Sequence, residues 1–239
     1  MPRGPDEQEA EDMVQYATAA EDKEARRDVI LEAALALFLE DTRRLPTVAA
    51  VAARSGLAKG TVYLYFDSKE QIFASLLVRD WRDFIGLISG YFASATGTPE
   101  QRLAGFIEVY VAHILDHPAL MRLDSMGYAM LEPALSDAAL ADFKLRFSGA
   151  LEEAGRAMEA ALDLRSGEGL TLLFRTYAMT RGLWQLSDLP EAVRAFPGFA
   201  GQPFARVDFG RDLSCALADY WRGAWQAARS PARPEAQNS

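Results

Sequence analysis

Apolar residues recur along this chain at three- and four-residue steps, the spacing of one face of an α-helix. Val48, Val51 and Ala52 form one such set, with small Ala49, Ala50 and Ala53 between them, so a helix here lets a second axis approach closely. Gly56 follows where a helix ending at Arg54 or Ser55 needs a left-handed residue, a conformation that glycine takes without steric cost. Leu57 then plugs the angle, and a second helix is predicted over 58–66 with Val62 and Phe66 facing inward. Ser68, followed by Glu70 and Gln71, caps a long helix whose apolar face runs from Ile72 and Phe73 through Trp81 and Phe84 to Ile88.

The rest of the chain keeps the helical period. Thr98-Pro99-Glu100-Gln101 is a capping box with proline at the first helical position, opening a helix to about Asp116. His117-Pro118 breaks it, and further helices are predicted over 119–131, 136–163, 167–188 and 208–228. A Gly-, Pro- and Phe-rich loop, Phe196 to Phe204, separates the last two. The expected fold class is all-α.

The outward residues of the first helix pair suit DNA chemically. Lys59 can meet a phosphate or a guanine edge, Thr61 can donate or accept, and Leu64 can touch a thymine methyl in the major groove. Gly60 removes a side chain where the second helix begins. Tyr63, Tyr65 and Lys69 are long enough to reach phosphates, and Thr47 can set a hydroxyl and helix-terminal amides against another.

Together, the arginine-led helix ARRDVILEAALALFLE and the run TVAAVAARSGLAKGTVYLYFDSKEQIF, Thr47 to Phe73, resemble the TetR family of transcriptional regulators. The likeness covers about Glu24 to Leu77. It implies a two-fold symmetric, all-helical dimer, with a three-helix DNA domain on each subunit and a larger helical domain that dimerises and binds a small effector. Carried over residue by residue, the family's DNA contacts fall on Thr47, Ala58, Lys59, Gly60, Thr61, Tyr63, Tyr65 and Lys69. Where members commonly have a glycine after the first helix, this chain has Glu40-Asp41-Thr42-Arg43-Arg44, which leaves the end of that helix open.

Charge changes the picture in one respect. Residues 1–22 hold one basic and seven acidic groups, whereas residues 23–70 hold eight and seven, so the net charge of −9 lies away from the reading head. Affinity for DNA must come from placement and two-fold repetition rather than bulk charge. The expected organisation is a flexible acidic arm (1–22), a DNA-binding domain (23–70), an effector and dimerisation domain (71–229) and a flexible tail (230–239).

Phe174 and Trp184 in one late helix, with Leu217 and Trp221 in the other, offer more apolar surface than one subunit hides, and a four-helix bundle across a two-fold axis would bury it. Phe106, Tyr110, His113, Met126, Met130, Phe147 and Tyr177 mix methionine and aromatic rings with a few polar tips. Such a set suits an adaptable effector pocket, and equally an ordinary core. His113 and His117 have metal-ligand spacing, but Ile114 stands where the zinc-protease pattern needs glutamate and Pro118 ends the helix, so no metal is expected. Nor is any cofactor or catalytic residue. With a single cysteine, Cys215, and no apolar run long enough for a bilayer, a cytoplasmic protein is expected. The expected function is a ligand-responsive dimeric repressor on palindromic operator DNA. The alternative is a small-molecule-binding or catalytic helical protein whose N-terminal unit is only structural.

Overall fold

The computed structural model describes residues 5–229, with side chains from 22 to 227, and among these every regular element is helical. The chain forms two compact units: the first runs to Arg79 and includes Arg122–Asp137, and the second comprises Asp80–Met121 and the chain from Ala138 onward.

In the first unit, α1 (Pro5–Glu40) packs on α2 (Val48–Ser55), and α2 packs on α3 (Lys59–Tyr63). Ile30, Leu31, Ala34 and Phe38 of α1 are buried, as are Val48, Val51 and Ala52 of α2. The Phe38 ring lies 5.5 Å from that of Phe73 at the start of α4 (Lys69–Ser94). Arg27 ties the unit together, since its guanidinium sits 4.5 Å over the Phe66 ring and donates to Ser75 Oγ at 2.9 Å.

Two expectations change here, and one left open is settled. The sequence predicts a flexible arm over 1–22, whereas helix α1 carries the backbone on from Pro5. Pro5 fits the first helical position, the acidic residues behind it complement the helix dipole, and Ala, Glu, Gln and Met all favour helix. The predicted tail over 230–239 lies outside the described residues. At its other end α1 stops at Glu40 without a left-handed residue; the Asp41 carboxylate instead accepts the Arg43 N–H at 3.1 Å. The helix predicted over 119–131 is α-helical only as α6 (Pro118–Met126), then widens into a π-helical turn (Gly127–Leu131) and tightens into a 3₁₀ turn (Glu132–Ala134). Buried Gly127 weakens the helix and lies against Leu77, and Pro133 removes a donor just beyond.

The second unit holds α5 (Pro99–Asp116), α7 (Asp137–Leu162), α8 (Glu168–Ser187), the short α9 (Glu191–Arg194) and α10 (Phe209–Arg229). Thr98 and Gln101 form the expected reciprocal capping box at the start of α5. The loop predicted around Phe196–Phe204 contains two 3₁₀ turns, Phe199–Gly201 and Pro203–Arg206. α10 packs against both α5 and α8. Its Trp221 is fully buried, with the ring 5.6 Å from Phe106 and Nε1 donating to Thr176 Oγ1 at 3.0 Å. Leu217, one turn back, is also fully buried. The apolar face of α10 is therefore spent inside its own subunit, and Leu217 and Trp221 are core residues rather than the dimer surface the sequence suggests.

Candidate nucleic-acid interface

Two helix starts and one sharp turn build the exposed side of the first unit. Thr47 caps α2, its Oγ1 accepting the Ala50 N–H at 3.2 Å. The Val48 and Ala49 amides are left without intrahelical acceptors. At the other end Gly56 takes φ 70°, and the Gly56 and Leu57 N–H groups donate to Ala53 O and Ala52 O. This is the Schellman arrangement, and it turns the chain sharply into α3.

α3 is shorter than the predicted 58–66. Ala58 is its extended N-cap, and after Tyr63 the chain tightens, with Leu64 N–H donating to Thr61 O and Phe66 N–H to Val62 O. Val62 and Phe66 are buried as expected, and drawing Phe66 under Arg27 ends the helix early. Next, Ser68 Oγ accepts the Gln71 N–H at 3.1 Å, while Gln71 Oε1 reaches back to the Asp67 N–H at 2.6 Å, so α4 opens on a side-chain cap.

Thr47, Lys59, Tyr63 and Lys69, predicted separately, line one open concavity of about 360 Å³ with Val48, Ala49, Asp67, Ser68 and Glu70. Lys59 Nζ lies 5.7 Å over the Tyr63 ring, and Lys69 Nζ is 3.8 Å from Glu70 Oε1. Two cations, three hydroxyl side chains (Thr47, Tyr63 and Ser68) and the starts of α2 and α4 thus face one space of a size to take a phosphate oxygen cluster. Ala58, Gly60, Thr61, Leu64 and Tyr65 lie outside this concavity. Leu64 is 78% exposed, the most exposed large apolar side chain described, and a Cβ on Gly60 would meet nothing within 4 Å. Sequence reasoning missed Asp67 and Glu70 at the rim; as carboxylates they oppose any anion there, and their position beside the Ser68 cap was the available signal.

The residues considered for an effector divide between the units. In the second, Phe106 and Tyr110 are buried, and Tyr110 Oη is hydrogen-bonded to Thr180 Oγ1 at 3.0 Å. Phe147 and Tyr177 stand edge-on to Trp81, at 6.0 and 5.2 Å between ring centroids. His113 is stacked between Phe84, at 4.4 Å, and His117, at 3.9 Å. Burial, then the neighbouring His117, pulls the His113 pKa from 6.5 down to about 4, against smaller upward pulls from Asp116 and Asp83. Met126 and Met130 belong to the first unit, where Met130, in the π-helical turn, is exposed. Of the four dimer candidates, Phe174 is exposed and Trp184 partly so. Among the described residues no cluster of three or more His, Cys, Asp or Glu side chains could hold a metal ion, and no helix is long and apolar enough to cross a membrane.

An all-helical chain with a capped helix-turn-helix and a separate helical unit defines a class of DNA-binding regulators. The family model for bacterial regulatory proteins of the tetR family matches residues 30–76, and that for the tetracyclin repressor-like C-terminal domain matches residues 81–228. The chain belongs to the TetR family, whose members are ligand-responsive DNA-binding transcriptional regulators. Among solved structures it is similar to a TetR transcriptional regulator from Rhodococcus sp. RHA1, with 20% identity, 89% of this chain and 100% of that chain covered, and a TM-score of 0.52. It is also similar to a TetR-family transcriptional regulator from Streptomyces coelicolor, with 18% identity, 83% and 99% coverage and a TM-score of 0.51. The fatty acid degradation regulator FadR from Bacillus halodurans gives 18% identity, 86% and 97% coverage and a TM-score of 0.51. At these identities the likeness is one of fold. No curated protein matches.

Proposed function

We propose that this protein is a homodimeric, cytoplasmic repressor that holds a palindromic operator through two copies of the α2–α3 head and releases it when a small, mostly apolar effector binds the helical domain. The observation that carries the proposal is the gathering of Thr47, Lys59, Tyr63 and Lys69 around one concavity between two helix starts. A phosphate seated there fixes register, and α3 presents Lys59, Thr61 and Leu64 to base edges, with Ala58 and Gly60 leaving room for the duplex. Tyr65 reaches the flanking backbone. Phe106, Tyr110, His113, Phe147 and Tyr177, all in the second unit, are the effector contacts of this reading.

Release requires the effector to prefer the spacing of heads that does not fit the operator, since equal affinity for both states shifts nothing. Quantitative gel shifts with the DNA upstream of its own gene test the proposal, using a scrambled duplex and rising salt as competitors. Retarded complexes that outlast the scrambled competitor are expected; equal affinity for both duplexes contradicts it.

A further inference from the structure

The connection between α8 and α10, residues 188–208, is long for two helices that pack on one another, since most such links need roughly 2–8 residues. It contains only α9 and the two 3₁₀ turns, and the hydrogen bonds within them are local. Ala195 N–H donates to Glu191 O at 2.8 Å, Gln202 N–H to Phe199 O at 2.8 Å and Ala205 N–H to Gln202 O at 3.1 Å. Turns closed in this way hold the backbone without drawing the side chains into a core. Val193, Phe196 and Phe204 stay exposed, and neither operator nor effector binding, as proposed, uses them.

The segment encloses a cavity of about 310 Å³, at the small end of ligand pockets, which run from about 300 to 1,000 Å³. Leu189, Phe199, Phe204 and Val207 make its wall apolar, and Ala200 and Ala205 leave it room. Arg194 is the one charged side chain among the described residues that line it. Its Nη2 donates to Ser187 O at 2.7 Å, a neutral acceptor that holds the guanidinium in place without cancelling its charge. Ser187 Oγ also lies at the cavity but already donates to Trp184 O at 2.8 Å, so the guanidinium is the donor on offer. The α10 end is fixed too, with Arg211 Nη2 donating to Arg206 O at 3.2 Å and Arg211 N–H to Asp208 Oδ1 at 2.9 Å. Anchored to a helix at each end, the cavity is formed before a ligand arrives.

We propose that this cavity binds a small monocarboxylate with an apolar body, an arylalkanoate such as 3-phenylpropionate, its carboxylate on Arg194 and its ring against the Phe199 and Phe204 side of the wall. A planar guanidinium pairs with carboxylate oxygens through two parallel N–H bonds. One cation in an otherwise apolar lining suits a single negative charge better than the nearly double charge of a phosphate monoester. Two phenylalanine rings favour an aromatic body through offset or edge contacts. None of Phe106, Tyr110, His113, Phe147 and Tyr177 lines the cavity, so the site is separate from the proposed effector contacts and does not rest on them.

Isothermal titration of the full chain with 3-phenylpropionate, in the absence of DNA, tests the site. Saturable binding is expected, and 3-phenylpropionamide, which keeps the shape and lacks the charge, is expected to bind at least about tenfold more weakly. Arg194→Gln is expected to weaken the acid about tenfold to a hundredfold and to leave the amide as it was. Ala200→Phe, at an exposed position, fills the cavity and is expected to abolish binding of both compounds while the helical circular dichroism is kept. Absence of saturable binding up to about 10 mM overturns the proposal, as do equal affinities for acid and amide. So does wild-type affinity for the acid in either variant, which places the compound elsewhere on the protein. Because no DNA is present, loss of operator binding leaves these outcomes unchanged.

Discussion

Lys69 sits where the first turn of α4 meets the concavity, and its ammonium lies 3.8 Å from Glu70 Oε1. A phosphate contact there carries no sequence information, so Lys69→Ala is expected to weaken binding to every duplex alike and to lower the slope of log affinity against log salt by about one unit. Salt titrations by fluorescence anisotropy measure this; an unchanged slope removes Lys69 from the contact set. His113 makes a prediction of opposite kind, about stability. Its pKa is lowered to about 4 in the fold, so between about pH 4 and 6.5 the unfolded chain binds a proton that the native site refuses. The contribution is fully present above 6.5 and is lost as the pH falls toward 4. Denaturant unfolding across that window is expected to show the loss in the wild type and a smaller loss in His113→Phe, which keeps the stack on Phe84; equal slopes in the two contradict the assignment.

Among the elements, the α2–α3 turn separates folding from function at two glycines. Gly56 has φ 70° and open space around it, so Gly56→Ala costs backbone strain alone, about 1–2 kcal/mol, and thermal unfolding should register it. Gly60 lies in α3 with ordinary φ and equally open space, so Gly60→Ala is expected to be neutral or stabilising by about 0.5–1 kcal/mol while weakening DNA binding through the added methyl. A Gly60→Ala protein with full affinity shows that nothing approaches α3 there. The Gly56 turn, the Thr98–Gln101 box and the Ser68 cap were all legible in the sequence, because each follows from residues within one turn of each other. What was not legible depends on distant packing: α3 ends early because Phe66 is drawn beneath Arg27, and the π-helical turn opens where Gly127 meets Leu77. Leu217 and Trp221 misled for a related reason, since an apolar helix face has the same sequence period whether its own subunit or a partner covers it.

For the whole molecule, the tension is between an acidic protein and an anionic ligand. The net charge of −9 forbids affinity by bulk attraction, so the proposed repressor needs two heads at fixed separation, each held by few contacts and set in register by the concavity of Thr47, Lys59, Tyr63 and Lys69. In the proposed dimer, heads placed in successive major grooves read half-sites about one helical turn apart, and the protected DNA then carries the two-fold symmetry of that dimer. Footprinting the DNA upstream of the protein's gene, with wild type beside Tyr63→Ala, measures this directly. Wild type is expected to protect a symmetric pair of half-sites and Tyr63→Ala none, at equal dimer mass and helicity. No symmetric protection by the wild type, or the same footprint from Tyr63→Ala, would contradict it.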